Sequence, residues 1–294
     1  MEVRPLLTDV DVAAVLGLIE RREAATGVPP LGESKFVDLG GTLRGRGLIG
    51  SGDDDVVAYL HLLWHEPSGV WEMELVVEPG RVTDADLRDL LAAATREAAD
   101  RMLWWNFGET GGVAFALEHL PLVRTLHKLS GPLPPAAEAP SQPPAVIRAF
   151  RPGKDEEAWL IANNAAFAGH PENGAWTLSD IVERQSREWF RADDFRLAWV
   201  DDRVAGFCWT KRHGPELGEI YVVGVHPEFQ GKGLGRRIVI DALWYLASVG
   251  CASGLMYVDT ANQTALSLYQ SLGFTVERVD HFFEVPKGWP QEAQ

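Results

Sequence analysis

The stretch HPEFQGKGLGRR, residues 226–237, follows directly on the apolar run EIYVVGV (219–225) and leads into another, IVIDALWYLASVG (238–250). Gly231, Gly233 and Gly235 fall within five residues, flanked by Lys232, Arg236 and Arg237. A strand that hands over to a helix through such a turn can gather backbone N–H groups on one anion, with the positive end of the helix dipole behind them. The pattern is not a Walker loop, because no Ser or Thr follows a Gly-Lys pair at the required spacing. It is not a dinucleotide fingerprint either, which needs a glycine where Arg236 stands. Taken alone, the cluster reads equally well as a turn that packs tightly.

A chain of 294 residues suggests about two domains. Hydrophobic residues make up 46% and charged residues 23%, the balance of an ordinary globular protein. The net charge of −15 argues against a nucleic-acid partner and suits a neutral or cationic small molecule. Cys208 and Cys251 sit in apolar segments and give neither a disulfide framework nor a metal spacing. His170, His213 and His226 share no ligand-like spacing, so no metal is expected, and helix caps or core-edge packing are their expected roles. The start, MEVRPLLTDVD, lacks a signal pattern, and the longest apolar tract is short and broken by Asp241. The expectation is a cytoplasmic protein with no membrane partner.

Residues 131–145, GPLPPAAEAPSQPPA, carry six prolines in fifteen positions, which interrupts any helix or central strand. The expected division is a first domain over 1–130, this linker, and a second domain over 146–294. The two halves repeat each other. A shift of 148 residues lays DDDVVAYLHLLWH (53–65) on DDRVAGFCWTKRH (201–213) and MELVVEP (73–79) on YVVGVHP (221–227). Such an offset across successive strands marks an internal duplication. Each half reads as strand, helix, polar loop, two or three strands, helix, strand, helix, strand. The expected class is α/β, a mixed sheet flanked by helices, occurring twice.

The segment GEIYVVGVHPEFQGKGLGRR (218–237), with NQTALSLYQSLGF (262–274) after it, resembles the acetyl-CoA core of the GNAT superfamily of N-acetyltransferases. The resemblance implies that Gln230, Gly231, Lys232, Gly233, Leu234, Gly235 and Arg236 cradle the pyrophosphate of acetyl-CoA. It implies that Val223, Gly224 and Val225 pair with the pantetheine arm. Asn262, Gln263, Thr264, Ala265, Leu266 and Ser267 would border the same cosubstrate. NNAAFAGHPENGAWT (163–177), FCWTK (207–211) and GVPPLGE (27–33) are similar to a branch with two GNAT repeats in one chain. Members of that branch acetylate the cysteinyl amine of a cysteine–glucosamine–inositol conjugate. A monomer whose two repeats act as a pseudo-dimer is then expected.

The same offset places Val82, Thr83, Asp84, Ala85, Asp86, Leu87 and Arg88 where the second half has its glycine turn, and Trp71 where it has Glu219. All three glycines are lost, and two carboxylates stand where a pyrophosphate would lie. The first half is therefore expected to bind no acetyl-CoA in this way.

Attack on a thioester needs a neutral amine and a proton for the departing thiolate. Glu219 alone reads as a solvated strand-end acid; the resemblance makes it the general base, through a water. Tyr269 alone reads as a helix aromatic packed beside Leu266 and Phe274; the resemblance makes it the general acid. By the same resemblance Glu33, Glu172, Lys211, Glu219 and Tyr257 face the amino-sugar, with a backbone N–H near Val223 for the oxyanion. Two other readings remain open: acetylation of a different small-molecule or peptide amine, and a non-catalytic acyl-CoA-binding module.

Overall fold

The computed structural model describes all residues except 7, 40–44, 53–54, 66–68, 109–111, 136, 138–143, 170–173 and 290–294, and the side chains of 33, 34 and 37. It divides into two compact units, Met1–Leu126 with Arg278–Gln294, and His127–Glu277.

The first unit contains β1 (Glu2–Pro5), α1 (Asp9–Thr26), α2 (Glu33–Leu39), β2 (Arg46–Gly52), β3 (Asp55–His65), β4 (Val70–Val77), α3 (Asp84–Ala98), β5 (Met102–Asn106) and α4 (Val113–His119). Helix α1 starts at Thr8, whose side chain accepts from Asp11 N–H while Asp11 accepts from Thr8 N–H. Gly27 ends it in the left-handed conformation, φ 68°. Strands β1 to β4 form an antiparallel run, and β4 pairs in parallel with β5.

Strand β6 (Leu122–Pro132) leaves this unit and the second follows, with β7 (Val146–Ala149), α5 (Glu156–Ala166), α6 (Leu178–Gln185), β8 (Phe195–Val200), β9 (Arg203–His213), β10 (Leu217–Val225), α7 (Leu234–Ser248), β11 (Ser253–Asp259) and α8 (Gln263–Ser271). Strands β7 to β10 are antiparallel neighbours, and β10 pairs in parallel with β11. The element order of the first unit is repeated, and β3 and β9 are offset by 148 residues, as the duplication requires. The sequence pattern predicts a helix over 178–190, but α6 stops at Gln185. Ser186 N–H there reaches back to the carbonyls of Val182 and Glu183, and its hydroxyl also takes Glu183 O.

The last strand, β12 (Thr275–Val285), follows α8 in the chain, yet its His281–Val285 stretch pairs with Asn106–Met102 of β5 in the first unit. Alternation explains the fit. Phe283 and Val285 enter the first unit's core, Phe283 lying 5.8 Å from Trp104, while Phe282 stacks on Trp105 from the other face at 4.7 Å. The packing boundary thus differs from the boundary drawn at the proline-rich stretch, because the described residues from Arg278 onward pack with the first unit.

In the second unit, one face of the sheet carries Ile238, Val239, Leu243, Leu266, Tyr269 and Phe274. The other face holds an aromatic core of Phe150, Trp159, Trp176, Phe195, Phe207 and Trp209, with Phe195 stacked on Trp209 at 4.3 Å. Both cores clamp β10 and set which way its side chains point.

Candidate active site

Strand β10 is irregular at Tyr221. Ile220 is registered with Thr210 and Val222 with Trp209, so Tyr221 is an extra residue, a β-bulge. Ile220 and Val223 pack on the α7 side of the sheet, while Tyr221 and Val222, adjacent in sequence, both pack on the aromatic side. The bulge coincides with a parting of strands. Pairing of β10 with β9 continues to Val225–Gly206, whereas its rungs with β11 end at Ile220–Met256. From residue 221 onward the β11-facing edge of β10 offers peptide groups without a strand partner. Val223, Gly224 and Val225 lie on that edge. Gly224 has a packing reason as well, since a Cβ there would come within 2.8 Å of the Phe207 ring.

The same strand runs through a short 3₁₀ turn, Pro227–Phe229, into the glycine cluster. Gln230 folds back and donates from Nε2 to Val225 O at 2.9 Å. Gly231 and Gly233 have φ of 73° and 83°, which only glycine adopts at little cost. A Cβ at either would meet nothing within 4 Å, so the space above the turn is open. Gly233 caps α7 and supplies no side-chain hydrogen bond, leaving the first N–H groups of the helix, at Leu234, Gly235 and Arg236, for a ligand. Leu234 itself is 1% exposed and can contribute only its backbone. Lys232 Nζ lies 3.4 Å from Glu228 O, and Arg236 donates to Ser271 Oγ at 2.7 Å.

Helix α8 opens alongside. Asn262 accepts from Ala265 N–H at 3.1 Å, and Gln263 Nε2 donates to Thr260 O at 2.7 Å. Asn262, Gln263, Thr264 and Ser267 are exposed, Ala265 is half-buried, and the Leu266 side chain belongs to the core. Tyr269 is 4% exposed in that core, with Leu266 and Phe274. Burial, and then Cys208 nearby, push its phenol well above the ordinary tyrosine value, so it keeps its proton.

Before the bulge, Glu219 is registered opposite Lys211 on β9 and beside Leu255 on β11. Lys211 extends over the Trp189 ring, 5.1 Å from its centre. Trp189 touches Tyr221 at 5.3 Å. Tyr257, 41% exposed, is the first residue of β11 beyond the last rung with β10. Glu219, Lys211 and Tyr257 therefore gather where β10 and β11 part. Glu172 lies outside the described residues. Glu33 opens α2, and its side chain lies outside them also.

Glu219 has a partner that sequence reasoning missed. His213 Nε2 lies 2.6 Å from its Oε2. His226 does serve as a cap, its Nδ1 3.3 Å from Glu228 N, but His213 ends β9 on the same face as Lys211, and that alternation was the available signal.

The bulge also corrects the comparison of the halves. In the first unit Leu63, the counterpart of Lys211, is registered with Glu72. Glu72, not Trp71, is thus the equivalent of Glu219, because β10 has one residue more than β4. Glu72 is held by Lys35, whose Nζ reaches Glu72 Oε2 at 3.0 Å and Glu74 Oε1 at 2.9 Å and is itself 1% exposed. The turn shifts likewise. Thr83 caps α3 as Gly233 caps α7, so the correspondence there is offset by 150 residues rather than 148. Thr83 Oγ1 accepts from Asp86 N–H, and Asp86 accepts from Thr83 N–H at 2.9 Å, a closed capping box. The hydrogen bonds from Thr83 hold the Asp86 carboxyl down to about 2. Of the first three helical N–H groups that α7 leaves open, the counterpart of the third, at Asp86, is taken by Thr83 Oγ1 in α3.

Among the described residues, no group of three or more His, Cys, Asp or Glu could hold a metal ion. Among them also, no helix is long and apolar enough to cross a membrane.

Residues 156–274 match the acetyltransferase (GNAT) family. A mycothiol acetyltransferase from Thermomonospora curvata is 40% identical over 284 residues, covering 95% of each chain. One from Geodermatophilus obscurus is 39% identical, covering 95% of this chain and 98% of its own. Among solved structures, a GCN5-related N-acetyltransferase from Sphaerobacter thermophilus superposes with a TM-score of 0.75 over 97% of this chain and 95% of that one, at 20% identity. A tandem GNAT protein from the clavulanic acid biosynthesis pathway does so at 0.69, over 99% of both chains and 21% identity. An α/β mixed-sheet fold, uncapped glycine turn and parted strands, with close relatives along the whole length, place the chain in the mycothiol acetyltransferase family of GNAT N-acetyltransferases.

Proposed function

We propose that the chain transfers the acetyl group of acetyl-CoA to the cysteinyl amine of the cysteine–glucosamine–inositol precursor, desacetylmycothiol, giving mycothiol in the cytoplasm. The observation that carries this reading is that one strand, β10, presents Glu219 just before it parts from β11 and then runs into the uncapped helix α7. Acetyl-CoA supplies the thioester. The open N–H groups of Leu234, Gly235 and Arg236, with Gln230, Gly231, Lys232 and Gly233, bind its pyrophosphate. The peptide edge at Val223, Gly224 and Val225 holds the pantetheine. The exposed start of α8, Asn262 to Ser267, borders it. Glu219 takes the proton from the ammonium group through a water, and a backbone N–H near Val223 faces the carbonyl oxygen. Tyr269 is assigned as the acid that gives its proton to the departing thiolate.

Lys211 and Tyr257 meet the sugar hydroxyls with Glu172. The test is turnover of acetyl-CoA with the cysteinyl–glucosaminyl–inositol compound against a panel of other amines. Preference for another amine in the panel would replace the substrate while leaving the chemistry.

One acetyl-CoA per chain is expected, since α7 leaves its first N–H groups without a side-chain cap behind a glycine turn, while its counterpart α3 has no such turn and is capped by Thr83 and Asp86. Titration calorimetry should give a stoichiometry near one; two sites of similar affinity would contradict the assignment.

Glu33 belongs to the amine's binding site. Its neighbours are anchored, Gly32 N–H on Glu74 at 2.6 Å and Lys35 on Glu72 and Glu74. A carboxylate that accepts from sugar hydroxyls contributes about 1.5–3 kcal/mol. Glu33→Ala is expected to raise KM for the amine roughly ten- to a hundredfold, with acetyl-CoA affinity unchanged. An unmoved amine KM would remove Glu33 from the assignment.

A further inference from the structure

The geometry points to His213 as the positioning residue for the base at Glu219, an inference that rests on the acetyltransferase reading above. Ionised Glu219 can only accept, so at 2.6 Å the His213 Nε2–H donates to Oε2. One carboxylate oxygen is thereby held, and Oε1 is left to take the proton of the amine. Glu219 is 13% exposed and His213 37%, so the bond is shielded on the acid's side and open to water on the imidazole's. The other groups around the carboxylate are Lys211 across the strand pair, whose ammonium lies over Trp189, and Leu255 beside it on β11.

A second observation comes from the duplication. His65 on β3 stands 148 residues before His213, and Glu72 is the register equivalent of Glu219. These two also face each other, His65 Nδ1 lying 4.0 Å from Glu72 Oε1. The histidine–glutamate pair thus occurs in both units. It is tight where the acid faces an open site and loose where Lys35 has taken the acid over.

The test separates positioning from general packing. His213→Ala should lower kcat about ten- to a hundredfold, the worth of a hydrogen bond to a charged acceptor. KM for the amine and the Kd of acetyl-CoA should stay within about twofold. His213→Gln, which keeps an N–H donor, should recover most of the loss. In a Glu219→Gln background, His213→Ala should cost less than about twofold, because the two act through one interaction. His65→Ala serves as the control and should leave kcat unchanged. A wild-type kcat in His213→Ala would overturn the proposal, as would the same loss in the Glu219→Gln background. Should Glu219→Gln itself turn over at the wild-type rate, the base assignment falls first.

Discussion

Glu219→Ala should lower kcat/KM for the amine by about 10²–10⁴, the usual contribution of a general base. The loss arises because the ammonium form of the substrate cannot attack, and no other described acid is registered at the point where β10 leaves β11. Raising the pH supplies the amine already neutral, so the deficit should shrink as pH rises through the amine's own titration. Acetyl-CoA affinity should not change, since the acid precedes the bulge and the cosubstrate's peptide edge follows it. A variant with the wild-type rate and pH profile would remove Glu219 from the mechanism.

Gly233→Val should abolish measurable acetyl-CoA binding, a rise in Kd of more than about a hundredfold, since β-branching adds bulk where the backbone must approach a phosphate. The added side chain would enter open space above the turn, so the fold has no neighbour to displace. A residue other than glycine at φ 83° does add about 1–2 kcal/mol of local strain. Gly233→Ala carries the same strain without the bulk and is the comparison that isolates it. Calorimetric titration of both variants, with their melting temperatures, reads the two effects separately. Retained binding by Gly233→Val would move the phosphate site away from α7.

The glycine turn was legible because its chemistry is local: positive φ, a missing Cβ and a helix start all follow from adjacent residues. The duplication was legible because β3 and β9 kept one length. The bulge at Tyr221 was not, since an inserted residue inside an apolar strand leaves the hydrophobic pattern intact while shifting the register behind it. That single residue turned Trp71 into the apparent match of Glu219 in place of Glu72. His213 was missed for a related reason: strand pairing, not sequence spacing, brings it to Glu219. The home of β12 was also hidden. VERVDHFFEV reads as a strand from its alternation, but nothing in that pattern says which β-sheet edge it completes.

That last strand bears on how the protein is made. A ribosome delivers the first unit's β1 to β5 early, yet the strand that covers β5 is about 180 residues further along, which at roughly 5–20 residues per second means on the order of ten to forty seconds of waiting. Through that interval Leu103, Trp104 and Trp105 line an uncovered, apolar edge, the kind of surface that invites pairing with another nascent chain. The half synthesised first is therefore the half completed last, and the exposed tryptophans of β5 are where chaperones would have most to protect.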